Sequence, residues 1–141
     1  MYDDLILEHA RHPRNFGAIP DPTVTVVEEN PVCGDLVTLY LKISKGVIRR
    51  ATFTGRGCAI SQCAASLMTA HVVKRDCQDA VRFANTVVAM LRHGVEPDSP
   101  LPSDLAALCA VRKYPVRIKC ALLPWNALLR GLKEVTPEDA V

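Results

Sequence analysis

Cys33 and Asp35 stand two residues apart in the stretch NPVCGDLVTLYLKIS, residues 30–44, at the mouth of an alternating segment. A thiolate and a carboxylate placed this way are a soft and a hard metal ligand on one short loop. A proline turn leading into an ordinary strand accounts for the same residues, so the rest of the chain has to decide. Two further cysteines occupy similar places. Cys58 follows GRG (55–57) and opens a helical pattern, and Cys120 precedes the closing one. A thiol at a helix N-terminus feels the positive end of the dipole, which lowers its pKa and favours thiolate, the form that binds metal or attacks sulfur. Three thiolates and the Asp35 carboxylate suit a tetrahedral Zn²⁺. Such a site is anionic overall, and buried anions want cations nearby; Arg117 and Lys119 flank Cys120 for that purpose.

Free cysteine is more often a small buried hydrophobe than a ligand. That reading fits Cys63, which lies on an apolar helical stripe and is rotated by about 140° from Cys58. Cys77 and Cys109 read as packing or surface residues, and His9, His12, His71 and His93 have no ligand-like spacing. No two cysteines form C-x-x-C, and the chain carries neither a G-x-x-x-x-G-K-[ST] loop nor H-E-x-x-H. GRG is too short for a nucleotide fingerprint and more simply turns a strand into a helix.

The elements that must position these residues follow from periodicity. Residues 2–12 fit a helix that HPRNFG ends, because a residue before proline avoids the helical region. Residues 23–27 alternate, as do 37–44, and Gly46 supplies a tight turn into a returning strand over 47–53. GRG breaks that strand. Apolar residues from Ile60 to Val72 then recur at helical spacing, and a second helix covers about 77–92. Residues 93–104 are turn-rich, and Ser103 or Asp104 can cap a short helix. In the closing helix Pro124 is acceptable in the first turn, which places Cys120 at or just before the start. Strands first and helices afterwards argue an α+β fold, a three-stranded antiparallel sheet packed against several helices.

At 141 residues, 49% apolar and 23% charged, the chain is expected to form one domain over 1–141. A net charge of +2 calls for neither nucleic acid nor an anionic membrane. The charged start carries neither a secretory signal nor an anchor, and no run is long enough to span a bilayer. A cytoplasmic location is expected, with all six cysteines reduced.

HPRNFG, NPVCGD, GRGCAIS and RIKCALLPW, in that order, resemble the U-type proteins of iron–sulfur cluster assembly, the IscU/NifU-like family. The resemblance covers nearly the whole chain. In the scaffold branch a histidine directly precedes the last motif cysteine; here that residue is Lys119. The SufU branch carries an insertion between the second and third motif cysteines, and the 61 residues between Cys58 and Cys120 match the long form. The resemblance therefore implies a zinc-dependent sulfurtransferase that takes persulfide sulfur from a SufS-type cysteine desulfurase and serves a downstream SufBCD-type scaffold. By motif position it implies Cys33, Asp35, Cys58 and Cys120 as zinc ligands, Cys33 as the sulfur acceptor, and Arg117 as a residue close to the site. It also implies that a partner histidine replaces Cys33 on the zinc. The alternative is a scaffold that builds a [2Fe–2S] cluster on the same ligands.

Overall fold

The computed structural model describes residues 2–135. Its elements run α1 (Tyr2–Arg11), β1 (Val24–Asn30), β2 (Asp35–Ser44), β3 (Val47–Arg56), α2 (Ala59–Val72), α3 (Cys77–His93), α4 (Ser103–Leu108), a 3-10 helix (Cys109–Lys113) and α5 (Pro115–Lys133). The strands form an antiparallel meander in the order β1-β2-β3, so the α+β expectation holds.

Alternation sets the inner face of the sheet. Val24 and Val26, Val37 to Ile43 at every second position, and Ile48, Ala51 and Phe53 are all buried. α5 lies against β1 and β2, and α2 against β3. Trp125, Leu128, Leu67 and Met68 are among the largest fully buried side chains of the core these elements share, and Trp125 packs on Phe83 of α3. α1 packs on α2, and α3 on α5.

Two turns fix the register. Ser44 pairs with Val47 around Lys45 and Gly46, both at positive φ (53° and 73°), the two-residue hairpin geometry that matches strand twist. At the other end Asn30 pairs with Asp35, leaving Pro31–Gly34 as an exposed four-residue loop. The HPRNFG segment covers the free edge of β3. Gly17 donates its N–H to the Phe53 carbonyl (2.8 Å), and Phe53 donates to the Asn15 carbonyl (3.0 Å). Ser66, buried on α2, holds that segment in place. Its hydroxyl accepts the Arg14 N–H and meets His9 Nδ1, both at 2.7 Å.

Three expectations change. β3 does not stop at GRG but runs through Gly55, opposite Val37, and Arg56, opposite Leu36. A Cβ at position 55 would strike the Leu36 carbonyl, so glycine there permits the pairing instead of ending it. Neither Ser103 nor Asp104 caps α4: the N-cap is Pro102, and Asp104 accepts the Leu105 N–H (2.7 Å) while facing His71 Nε2 (2.9 Å). The largest change is in α5. It starts at Pro115, which takes the first-turn role assigned to Pro124, and Pro124 sits inside the helix. Cys120 is therefore in the second turn, away from the N-terminal dipole.

Candidate metal centre

The site forms where the β1–β2 loop, the end of β3, the start of α2 and the second turn of α5 meet. Ligand-capable atoms of Cys33, Asp35 and Cys120 all lie within 4.8 Å of one another. Cys58 joins them, with its Sγ 3.6 Å from Asp35 Oδ2. Together with Gly57, Val116 and Arg117 these four line a cavity of about 310 Å³. The structure thus brings all four expected donors and Arg117 to one place.

Each donor is held differently. Cys33 is exposed on its loop, whereas Asp35 and Cys120 are buried and Cys58 is half-buried. Asp35 is the first residue of β2, and its Oδ1 accepts the Cys58 backbone N–H (2.9 Å). This carboxylate therefore ties the start of α2 to the sheet. Cys58 is the N-cap of α2, and its Sγ accepts the Ser61 N–H (3.5 Å). Cys120 is set by α5, and Pro124 has no N–H to give the Cys120 carbonyl four residues back. Burial, then the neighbouring Asp35 and Cys58, push the Cys120 thiol well above the usual thiol range. The helix-start argument thus holds for the placement of Cys58 and fails for Cys120.

Gly57 makes the cluster compact. Its φ of 145° is a region that only glycine adopts readily, and a Cβ there would land on Asp35 Oδ1. Gly57→Ala is expected to lower stability by about 1–3 kcal/mol through backbone strain, and more if Asp35 is displaced. Urea unfolding of the chelator-treated protein measures this; an unchanged midpoint would mean that the strand end yields freely.

The two flanking cations separate. Arg117, three residues before Cys120, shares its helical face and lines the cavity. Lys119 is about 100° away around the helix and lines a different groove, with Glu28, Glu29 and Arg92. Charge compensation at the site thus falls to Arg117 and not to Lys119. A larger groove, about 660 Å³, continues from Cys58 and Arg117 past Tyr2, Ile6, Leu7 and Tyr114. Val116 lines both cavities and is 78% exposed, and Val32, beside Cys33 on the loop, is 83% exposed.

The other thiols stay apart. Cys63 is fully buried with Sγ 3.9 Å from the Leu5 carbonyl, and burial pushes it up to about 12. Burial likewise raises Cys109 to about 11. Two site residues escape a reading by ligand type. Gly57 gave no chemical signal, and Asn30, whose amide reaches Cys33 Sγ (3.4 Å), was signalled only by the preference of asparagine for turn entries.

The donor set is chemically coherent for zinc: the sulfurs of Cys33 and Cys120 with the Asp35 oxygen, joined by the Cys58 sulfur beside Asp35, and a glycine where a Cβ would press on the Asp35 carboxylate. No helix among the described residues is long and apolar enough to cross a membrane.

The chain is 36% identical over 132 residues to the zinc-dependent sulfurtransferase SufU of Bacillus subtilis, spanning 94% of this chain and 89% of that one. It is 34% identical to the iron–sulfur cluster assembly scaffold protein IscU of Thermotoga maritima, spanning 96% and 95%. A solved structure from Fervidobacterium islandicum, named an iron–sulfur cluster assembly scaffold protein for the SUF system (FiSufU), superposes with a TM-score of 0.86 at 30% identity, over 92% of this chain and 94% of that one. The family model of the NifU-like N-terminal domain matches residues 1–121, and the chain belongs to that family of iron–sulfur cluster assembly proteins.

Proposed function

We propose that this chain is a zinc-dependent sulfurtransferase. Cys33 accepts sulfur from the persulfide of a SufS-type cysteine desulfurase, and the sulfur goes on to a SufBCD-type scaffold. One observation carries the reading. Of four clustered donors, only Cys33 is exposed, on a surface loop, while Asp35 and Cys120 are buried in a strand and a helix. Cys33, Asp35, Cys58 and Cys120 would hold Zn²⁺, whose charge keeps thiols as thiolates at neutral pH.

The transfer itself is thiol exchange. The Cys33 thiolate attacks the terminal sulfur of the donor persulfide, the donor S–S bond breaks, and the donor cysteine leaves as thiolate. A new S–S bond leaves Cys33 as the persulfide, with no net oxidation. Arg117, exposed at the cavity mouth, supplies positive charge for the anionic sulfur. Exposed Val116 and Tyr114 on the adjoining groove, and exposed Val32 next to Cys33 in the chain, give a partner apolar surface to cover. The reading requires a reducing compartment such as the cytoplasm, where Cys33 stays unpaired.

The name of the Bacillus subtilis relative supports this reading. The names of the Thermotoga maritima relative and of the Fervidobacterium islandicum structure support a second one, a scaffold that assembles a [2Fe–2S] cluster on the same ligands. Lys119, in place of the scaffold branch's histidine, favours the first. Elemental analysis of the purified protein tests it: one zinc per chain and no visible absorption are expected, and a coloured protein that builds a cluster from iron and sulfide overturns it.

Asp35 is the mismatched oxygen among sulfurs and should keep the site labile. Asp35→Ala is expected to alter metal binding and lose sulfur acceptance, and also to cost about 1–3 kcal/mol because the buried Cys58 N–H loses its acceptor. Asp35→Asn retains an acceptor for that N–H and separates the two effects: stability near wild type, metal affinity down. An Asp35→Ala protein with wild-type zinc affinity and transfer would reduce the carboxylate to a strand-entry residue.

A further inference from the structure

We infer that Asn30 is a positioning residue that latches Cys33 against the metal-side cluster. The inference deepens the reading of Cys33 as sulfur acceptor and rests on it for its consequence, though not for its test. Asn30 is the last residue of β1, only 7% exposed, and pairs with Asp35 across the base of the loop. Three hydrogen bonds run from this one residue into the four-residue loop. Its carbonyl accepts the Gly34 N–H (2.8 Å), its Oδ1 accepts the Val32 N–H (3.2 Å), and its Nδ2 donates to Cys33 Sγ (3.4 Å).

The division of labour matters. The first two bonds shape the hairpin and would suit any asparagine at a turn entry. The third does not shape the backbone. It orients an otherwise exposed thiol toward Asp35 and Cys120, using a buried amide with no freedom to follow Cys33 outward. A sulfur that must leave the cluster to meet a partner and then return needs a resting position held weakly. One N–H donor to sulfur is such a hold: it favours the inward arrangement and yields when a docked partner competes.

The test is the rate at which iodoacetamide modifies Cys33 in the folded protein as purified, read by mass spectrometry of its peptide. The urea-unfolded protein gives the intrinsic rate. Asn30→Ala removes both side-chain bonds. Asn30→Asp keeps the acceptor for Val32 N–H but has no N–H for sulfur; because its carboxylate would also repel a thiolate, all rates are compared at the high-pH plateau, where Cys33 is ionised in every variant. Asn30→Ser keeps a hydroxyl that can accept and donate. If the donor is the latch, Ala and Asp accelerate Cys33 modification about tenfold, the value of one such bond, and Ser stays within about threefold of wild type. Thermal stability of the Asp variant stays near wild type, and rates in urea are equal. If Asp modifies at the wild-type rate and only Ala is fast, the residue acts through loop shape and the latch is overturned; equal rates in all variants overturn it too. No desulfurase enters the assay, so failure of the sulfur-acceptor reading would show separately, as absent stimulation of a desulfurase with the latch intact.

Discussion

Cys33→Ser is expected to abolish the rise in alanine output that the wild-type chain produces when added to a SufS-type cysteine desulfurase supplied with cysteine. The rise would come from draining the desulfurase persulfide. A serine hydroxyl is a poor nucleophile toward sulfur and cannot carry a persulfide, even where its oxygen keeps some hold on metal. The loss should be complete, to the rate of the desulfurase alone, because no other described thiol is both near the site and exposed. Cys120 is buried, and Cys58 caps a helix. Cys63 is fully buried, burial pushes its thiol up to about 12, and it has no access to a partner. Cys63→Ser, Cys77→Ser and Cys109→Ser should leave the rise intact. Mass spectrometry after turnover should find added sulfur on the peptide carrying Cys33. Stimulation that survives in Cys33→Ser, or sulfur found on Cys63, would overturn the assignment.

How much of this was legible in the residues depends on how local the cause was. The strands were, since alternation from Val37 to Ile43 has one reading on a half-buried sheet. So was the loop position of Cys33, since Pro31 and Gly34 leave little else, and the helix start at Cys58, where an N-cap is a local event. The start of α5 was not. Propensity places a proline in a first turn, and two prolines compete for that place; Pro115 takes it, and the burial of Leu122, Trp125 and Leu128 outweighs the cost of about 3 kcal/mol for Pro124 inside the helix. Gly57 was read as a turn former, though its decisive neighbour, Asp35, is 22 positions away and becomes adjacent only when β2 pairs with β3. Arg117 and Lys119 both lie within three residues of Cys120, and it is the helical phase that puts Arg117 in the cavity and Lys119 in a different groove.

Cys58→Ala and Cys120→Ala should each lose most of the zinc and lower the melting temperature. Both residues are anchored on helices, so neither can be replaced by a neighbour swinging in, whereas the exposed Cys33 loop can leave without dismantling the rest. Metal binding is linked to folding: a ligand at a hundredfold excess over its Kd adds about 2.7 kcal/mol, which for a chain of this size is on the order of 10 °C. Deleting a buried sulfur also leaves a small cavity, so the melting shift alone does not identify a ligand. Chelation separates the causes. Stripping metal from the wild type should cost it most of that stabilisation, while the two variants, already without metal, should barely respond. Cys58→Ala faces a further test in its helix, because alanine cannot accept the Ser61 N–H that the thiol takes, and α2 should fray at that end. Cys120 has no capping role, so Cys120→Ala isolates the metal contribution more cleanly. Full zinc occupancy in both variants, with a chelator-sensitive melting temperature, would reject this ligand set.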